Sequence, residues 1–243
     1  MKQYDKVLLS CKNLDIRRDG IVKVVRGISL DVGEGEFVSI IGSNGVGKST
    51  ILKAISGIKT LHSGEIWFDD ERIDGMEPHA IIKKGVSHCP EARLLFPQMT
   101  IENNLKMGAF IRKDGPEIKQ DIEKMYDRFP VLGIKRHQHA RQISGAQQML
   151  LAIARSLMSR PKLLLIDEPS QGLSPLVIRD IADILQSLNE EGLTILLVGQ
   201  NAKLCFKLAN RAYLVEMGEV VLKGNAKEMT NNPKVQNTYL GID

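Results

Sequence analysis

Nine residues in the first quarter of the chain, GSNGVGKST, bring together three glycines, a lysine and two adjacent hydroxyls. The spacing G-x-x-x-x-G-K-[ST] suits a polyphosphate, and the residue types say why. Gly42, Gly45 and Gly47 let the backbone N–H groups around Ser43, Asn44 and Val46 curl about phosphate oxygens without interference from Cβ atoms. A helix starting near Lys48 presents unpaired N–H groups and its positive dipole end to the same anion. Lys48 adds a point charge for the β- and γ-phosphates, and the hydroxyl of Ser49, followed by Thr50, can ligate Mg²⁺. The stretch reads as a nucleotide site.

Such a loop needs carboxylates, and LLLIDEP (163–169) places Asp167 and Glu168 at the end of an apolar run. A buried acidic pair is costly unless cations or hydrogen bonds compensate it. Asp167 is expected to bind Mg²⁺, usually through water, and Glu168 to polarise an attacking water as general base. The plain alternative is a loop that only caps the helix after Pro175. A third stretch, ISGAQQM (143–149), has the look of a helix start in which Ser144 is the N-cap.

The elements that must position these groups alternate in type. VVRGISLDV and GEFVSII read as strands separated by Gly33-Glu34-Gly35, and SGEIWFDDERI as a strand followed by a tight acidic turn. STILKAISGI has helical spacing and stops at Gly57. From about Ile101 to His139 the chain is charged and helical in period, with Ile118, Ile122, Met125 and Phe129 on one stripe, broken by Gly115-Pro116 and Pro130. PKLLLIDEPS and TILLV read as strands buried on both faces, flanking a helix marked by Ile178, Ile181, Leu185 and Leu188. AYLVEMGEVVLKG reads as a hairpin turning at Met217-Gly218. The alternation predicts an α/β core with a mainly parallel sheet.

Composition bounds the rest. With 243 residues, 43% apolar and 26% charged, the chain lies in the ordinary globular range. A net charge of +4 does not by itself imply nucleic acid, and the basic patch IKRHQHAR (134–141) reads as a solvated face. Cys11, Cys89 and Cys205 are too scattered for a disulfide framework or zinc site and suit a reducing cytosol. MKQYDKVLLSCKNLD carries charges in its apolar run and does not read as a signal peptide; no run approaches the ~20 apolar residues of a spanning helix. Any membrane association is expected through a partner.

Together, GSNGVGKST, ISGAQQM about a hundred residues later and LLLIDEPS resemble the nucleotide-binding domain of ABC transporters over nearly the whole chain. The resemblance implies a single P-loop NTPase (ABC ATPase) domain over 1–243, with an antiparallel β subdomain and a helical subdomain at about 93–143 inserted in a RecA-like core. ISGAQQM corresponds to the family signature LSGGQ. It implies that Ser144, Gly145, Ala146 and Gln147 touch the γ-phosphate of ATP held by a second, identical or homologous, ABC ATPase subunit. Helix-dipole reasoning agrees, since this anion site is one that the chain's own phosphate loop does not fill. CPEARLLFPQMTIENNL, QQMLLAIARSLMSRPKLLLIDEPSQGLSP, GQNAKL and VQNTYLGID resemble the smaller ATP-binding subunit of branched-chain amino acid transporters, the LivF-like group. That group implies an importer with two transmembrane permease subunits and a solute-binding protein. It also implies a cytoplasmic location, peripheral on the inner face of the membrane, with ATP and Mg²⁺ as ligands and no nucleic acid.

Most of the family carries glutamine and histidine where Glu91 and Gln200 stand, whereas the LivF-like group carries these same residues. Gln200 can donate its amide N–H₂ to a γ-phosphate oxygen, and Glu91 can accept from the attacking water or help hold Mg²⁺. SQGLSP (170–175) matches the segment that lies across the family's dimer interface, with Pro175 suited to a first helical position. Four departures are not habits of the group: Ala92 and Ala146 in place of glycines, Gly199 in place of glutamate, and no aromatic ring before Gly20. Ala146 predicts that the composite site using this signature hydrolyses slowly, while the site built on Lys48, Asp167 and Glu168 stays competent. A degenerate nucleotide-gating module with weak hydrolysis is the alternative reading, which the presence of Glu168 opposes. A soluble ABC ATPase acting on DNA or ribosomes fits poorly, because it usually carries tandem domains or long insertions. In IRRDG only Arg18 offers a planar group to stack on adenine, beside its plainer reading as a surface arginine. Adenine discrimination is therefore predicted to be weaker than usual. Paired ATP and GTP affinities check this, and a strong preference for ATP contradicts it.

Overall fold

The computed structural model describes residues 6–241; the first five residues of MKQYDKVLLSCKNLD and the last two of VQNTYLGID lie outside them. The chain runs β1 (Val7–Arg18), β2 (Val22–Gly33), β3 (Phe37–Ile41), α1 (Lys48–Ile55), β4 (Ser63–Phe68), β5 (Glu71–Arg72), α2 (Pro78–Lys84) and β6 (Val86–Cys89). Three helices follow, α3 (Ile101–Gly108), α4 (Gly115–Arg128) and α5 (Pro130–Ile134), before α6 (Gly145–Leu157). Then come β7 (Leu163–Asp167), α7 (Pro175–Glu190), β8 (Thr194–Gly199), α8 (Ala202–Leu208), β9 (Arg211–Glu216) and β10 (Glu219–Asn225), with short helical turns to the end.

Two sheets result. Strands β9, β3, β8, β7 and β6 pair parallel in that order, and β10 adds antiparallel to β9. The second sheet, β2-β1-β4-β5, is antiparallel throughout. Strand pleat divides the parallel sheet between two cores. Phe37, Ile41, Leu164, Ile166, Ile195 and Leu197 face the helices α3 to α8. Val38, Ile40, Leu163, Leu165, Leu196 and Val198 face α1, α2 and the antiparallel sheet. A strand covered on both faces is apolar almost throughout. FVSII and LLLID each carry a single polar residue: Ser39, whose hydroxyl donates to the Cys205 carbonyl oxygen at 3.3 Å, and Asp167 at the strand's end.

The expected strands and helices are present, and β1, α2, β6 and α8 add to them. β1 has no clean alternation because Lys12 and Asn13 sit in an irregular register between Cys11 and Leu14, with Asn13 at φ 50°. The hairpin at Met217-Gly218 has both residues at positive φ, 50° and 83°, the pair of angles a two-residue type I′ turn requires. Gly115 and Pro130 open α4 and α5 rather than interrupt one long helix. The stripe Ile118, Ile122, Met125 and Phe129 packs against the same core as α6.

Helix α3 crosses α6 at Gly108, where a Cβ would fall 2.1 Å from the Arg155 carbonyl oxygen. Backbone cannot yield there without parting the helices. Gly108→Ala is expected to lower stability by about 2 kcal/mol, within the usual cost of overpacking. Urea unfolding measures this, and an unchanged midpoint contradicts the close crossing.

Candidate functional site

Parallel pairing puts the C-terminal ends of β3, β8, β7 and β6 along one edge of the sheet. The loop 42–47 follows β3, Gln200 follows β8, Asp167 ends β7 with Glu168 next, and Glu91 follows β6 by two residues. Open α/β sheets bind their ligands at this edge. The loop itself turns into α1 at Gly47, whose φ of 104° no side-chain-bearing residue readily adopts. α1 has no acidic residue in its first turn, so nothing competes with an anion for its N–H groups.

Lys48 is only 5% exposed. Its Nζ donates to the carbonyl oxygens of Gly42 at 2.9 Å and Ser43 at 3.1 Å, and lies 3.2 Å from Glu168 Oε1. Oε1 is thus paired with the ammonium by charge, without a hydrogen bond of good geometry. Oε2 accepts from the Gln200 backbone N–H at 2.9 Å. Glu168 holds φ at 46°, a left-handed conformation that costs about 1–3 kcal/mol in a residue other than glycine. Such strain aims the carboxylate back at the loop.

Asp167 Oδ1 accepts a 2.9 Å hydrogen bond from Ser49 Oγ. Burial, partly offset by that bond and reinforced by the charges of Glu91 and Glu168, pushes the Asp167 carboxyl up to about 6. A raised acid beside a hydroxyl is a hard oxygen donor set with charge to spare, the kind that Mg²⁺ suits. Glu91 is exposed beside this group. A cleft of about 250 Å³ opens over the site, lined by Asn44, Glu168, Ser170, Gln171, Gln200 and Asn201. A larger hollow of about 650 Å³ between α4 and α7 contains none of these groups.

Ser144 is the N-cap of α6. Its Oγ accepts from Gln147 N–H at 3.3 Å, while Gln147 Oε1 accepts from Ser144 N–H at 3.2 Å, a reciprocal capping box. Ala146 lies inside α6, so the backbone strain expected for a positive-φ position does not arise. Ser144 and Gly145 are exposed, and no hydrogen bond joins residues 144–147 to the 42–50 loop among the described residues. Ser174 rather than Asp167 or Glu168 caps the helix that begins at Pro175.

Other expected residues lie at the margins. Arg18 is exposed at the end of β1, where it opens the turn to Ile21, and its side chain makes no hydrogen bond or ion pair among the described residues. The Gln200 side chain is exposed, and its backbone makes the contact to Glu168. Ala92 has no positive φ, so alanine costs the backbone nothing there. A Cβ at Gly199 would meet Cys205 Sγ at 3.0 Å, so a glutamate at 199 would need Cys205 to give way. Spacing held no signal for the Lys48–Glu168 contact. Nor did it show Lys135, read as part of a solvated face, donating to Gln147 Oε1 at 3.1 Å.

The raised Asp167 acid makes a stability prediction. The folded chain keeps this proton up to about pH 6, while the unfolded chain loses it near the ordinary value of 3.8. Stability from this group therefore falls as pH rises from about 4 through 6, by at most ~3 kcal/mol. Asp167→Asn is expected to lose less stability than wild type between pH 4.5 and 8 in thermal melts without divalent cations. Equal losses in the two proteins contradict the assignment.

Residues 25–171 match the ABC transporter family. The high-affinity branched-chain amino acid transport ATP-binding protein BraG of Pseudomonas aeruginosa is 42% identical over 222 residues, covering 91% of this chain and 95% of its own. A probable branched-chain amino acid transport ATP-binding protein, LivF of Archaeoglobus fulgidus, is 34% identical over 216 residues, covering 88% and 91%. The ADP conformation of an ATP-binding cassette of an ABC transporter superposes with a TM-score of 0.84 at 26% identity, over 97% of this chain and 99% of that one. A dimeric post-hydrolysis cassette bound to ADP and Pi superposes with a TM-score of 0.81 at 25% identity, over 90% and 99%. The chain belongs to the ABC transporter family, as an ATPase with the fold of that family's ATP-binding cassette.

Proposed function

We propose that this chain is the ATP-binding and ATP-hydrolysing subunit of a membrane importer for branched-chain or related amino acids. The observation that carries this is the convergence of Lys48, Ser49, Asp167 and Glu168 on one sheet edge. The likeness to BraG over 91% of the chain supplies the substrate class. The whole chain acts as one cassette, with the helices between residues 93 and 143 as its helical subdomain. A second cassette, identical or homologous, faces it, and two transmembrane permease subunits with a solute-binding protein complete the importer. No helix among the described residues is long and apolar enough to cross a membrane. The chain accordingly sits on the cytoplasmic face through its permeases.

The chemistry follows from the charges already gathered. The triphosphate enters the 42–50 loop, where backbone N–H groups and the α1 N-terminus take its oxygens. Lys48 then exchanges the Gly42 and Ser43 carbonyls and Glu168 for the β- and γ-phosphates. That exchange leaves Glu168 Oε1, which accepts no other hydrogen bond, facing the γ-phosphorus as an acceptor for water. The Gln200 N–H fixes the other oxygen and hence the carboxylate plane. Water attacks the γ-phosphorus, its proton passes to Glu168, and the bond to the β–γ bridging oxygen breaks to give ADP and phosphate. Ser49 and Asp167 would hold Mg²⁺, which neutralises charge on the phosphate oxygens. Gln200 and Glu91 border the γ-phosphate and the water, and Arg18 borders the base.

This chain's Ser144, Gly145, Ala146 and Gln147 close the nucleotide site of the second cassette from across the dimer. The Ala146 methyl group crowds a phosphate drawn to the α6 N-terminus, so the site that uses this signature turns over slowly. Glu168→Gln is expected to cut hydrolysis by about 10²–10⁴-fold and to trap an ATP-dependent dimer that wild type leaves. Ala146→Gly is expected to raise turnover roughly fivefold, a transition-state gain of about 1 kcal/mol. Steady-state ATPase assays and sizing of the pair read both. An ATP-held dimer equally persistent in wild type and Glu168→Gln would instead identify a gating module, and unchanged turnover in Ala146→Gly would remove the crowding argument.

A further inference from the structure

Two cations flank the start of α6, and the motif chemistry uses neither. Arg93 lies two residues past Glu91, and its guanidinium packs over Gly145. Its Nη1 and Nη2 stand 3.2 and 3.6 Å from the point where a Cβ of residue 145 would be. Nη1 donates to Gln148 Oε1 at 3.2 Å. On the other side Lys135 Nζ donates to Gln147 Oε1 at 3.1 Å, the same oxygen that accepts from Ser144 N–H. Neither Arg93 nor Lys135 has a carboxylate partner among the described residues, although the chain pairs many of its other surface cations.

The position of Arg93 is built, not incidental. Its backbone and that of Leu94 hold φ at 61° and 44°, an uncommon pair of consecutive left-handed residues without glycine. Arg155, near the far end of α6, donates to the carbonyl oxygens of both, at 2.9 Å to Arg93 and 2.7 Å to Leu94. α6 therefore clamps the segment from which Arg93 reaches back to the helix's own first turn. Two uncompensated positive charges beside exposed Ser144 and Gly145 complement a polyanion, and a guanidinium fork matches phosphate oxygens.

We propose that Arg93, with Lys135 beside it, is a further phosphate-recognising residue of the composite site and binds the terminal phosphates of the nucleotide held by the partner cassette. The inference rests on the functional reading above and extends it, since these charges strengthen a contact that Ala146 crowds. They act only when two chains meet, so nucleotide binding to one chain's own loop does not involve them.

The test uses the full chain carrying Glu168→Gln, alone or with its homologous cassette, and measures the ATP concentration that half-assembles the pair. Adding Arg93→Gln is expected to raise that concentration about tenfold, the weight of one lost charge-assisted contact. Arg93→Lys is expected to recover part of the loss, and Lys135→Gln to produce a smaller shift of its own. Raising salt narrows the gap between parent and variants, because the lost term is electrostatic. Fluorescent-ATP affinity of the isolated chain stays unchanged in every variant, which a collapse of the 91–94 loop would not allow. Assembly of Arg93→Gln and Lys135→Gln at the parent's ATP concentration overturns the inference and leaves the transport reading intact. Failure of the Glu168→Gln parent to pair with ATP in either form overturns the transport reading and the inference with it.

Discussion

Lys48 is a full positive charge with almost no access to water, and the architecture around it is organised to tolerate that. Two carbonyls from its own loop and one carboxylate from β7's end surround the ammonium. The carboxylate is in turn pinned by a backbone N–H from the end of β8. Since β8 lies between β3 and β7, the three contributions meet only if all three strands run in the same direction and register. The parallel sheet is thus the condition for burying this ion. Glu168's left-handed backbone is the local strain that closes the arrangement.

This arrangement is poised rather than inert. Lys48 is satisfied by partners weaker than a triphosphate, and Glu168 Oε1 has charge without a hydrogen bond. Asp167 is an acid held partly protonated near neutrality by burial and neighbouring carboxylates. On the proposed reading, a triphosphate at Lys48 and a cation at Asp167 would offset these costs. Elsewhere in the chain, the start of α6 carries an exposed surface flanked by Arg93 and Lys135, and no hydrogen bond joins its residues 144–147 to the 42–50 loop among the described residues. This separation is the reason for proposing a second cassette.

Much of this was legible in the sequence because the physics was local. The glycines and lysine of GSNGVGKST, the largely apolar runs of FVSII and LLLID, and the Ser144 N-cap each follow from a few adjacent residues. What stayed hidden depended on distant pairing. β1 escaped notice because its irregular register at Lys12 and Asn13 breaks the two-residue period. The Lys48–Glu168 contact joins residues 120 positions apart, and no motif records it. Lys135 looked like one charge in a solvated run, and only its neighbours in the run are freely exposed; its own ammonium turns toward Gln147. Arg93 gave no signal, because its place depends on a clamp by Arg155 from another element.

We propose that one chain holds a complete phosphate loop and general base yet lacks the groups that finish the site, which a second cassette supplies. ATP turnover per chain, followed by dilution from assembled pairs to single chains with sizing at each concentration, tests this most directly. Turnover per chain is expected to fall with the fraction paired and to become negligible for the single chain. A single chain that hydrolyses ATP at the rate of the pair would contradict it.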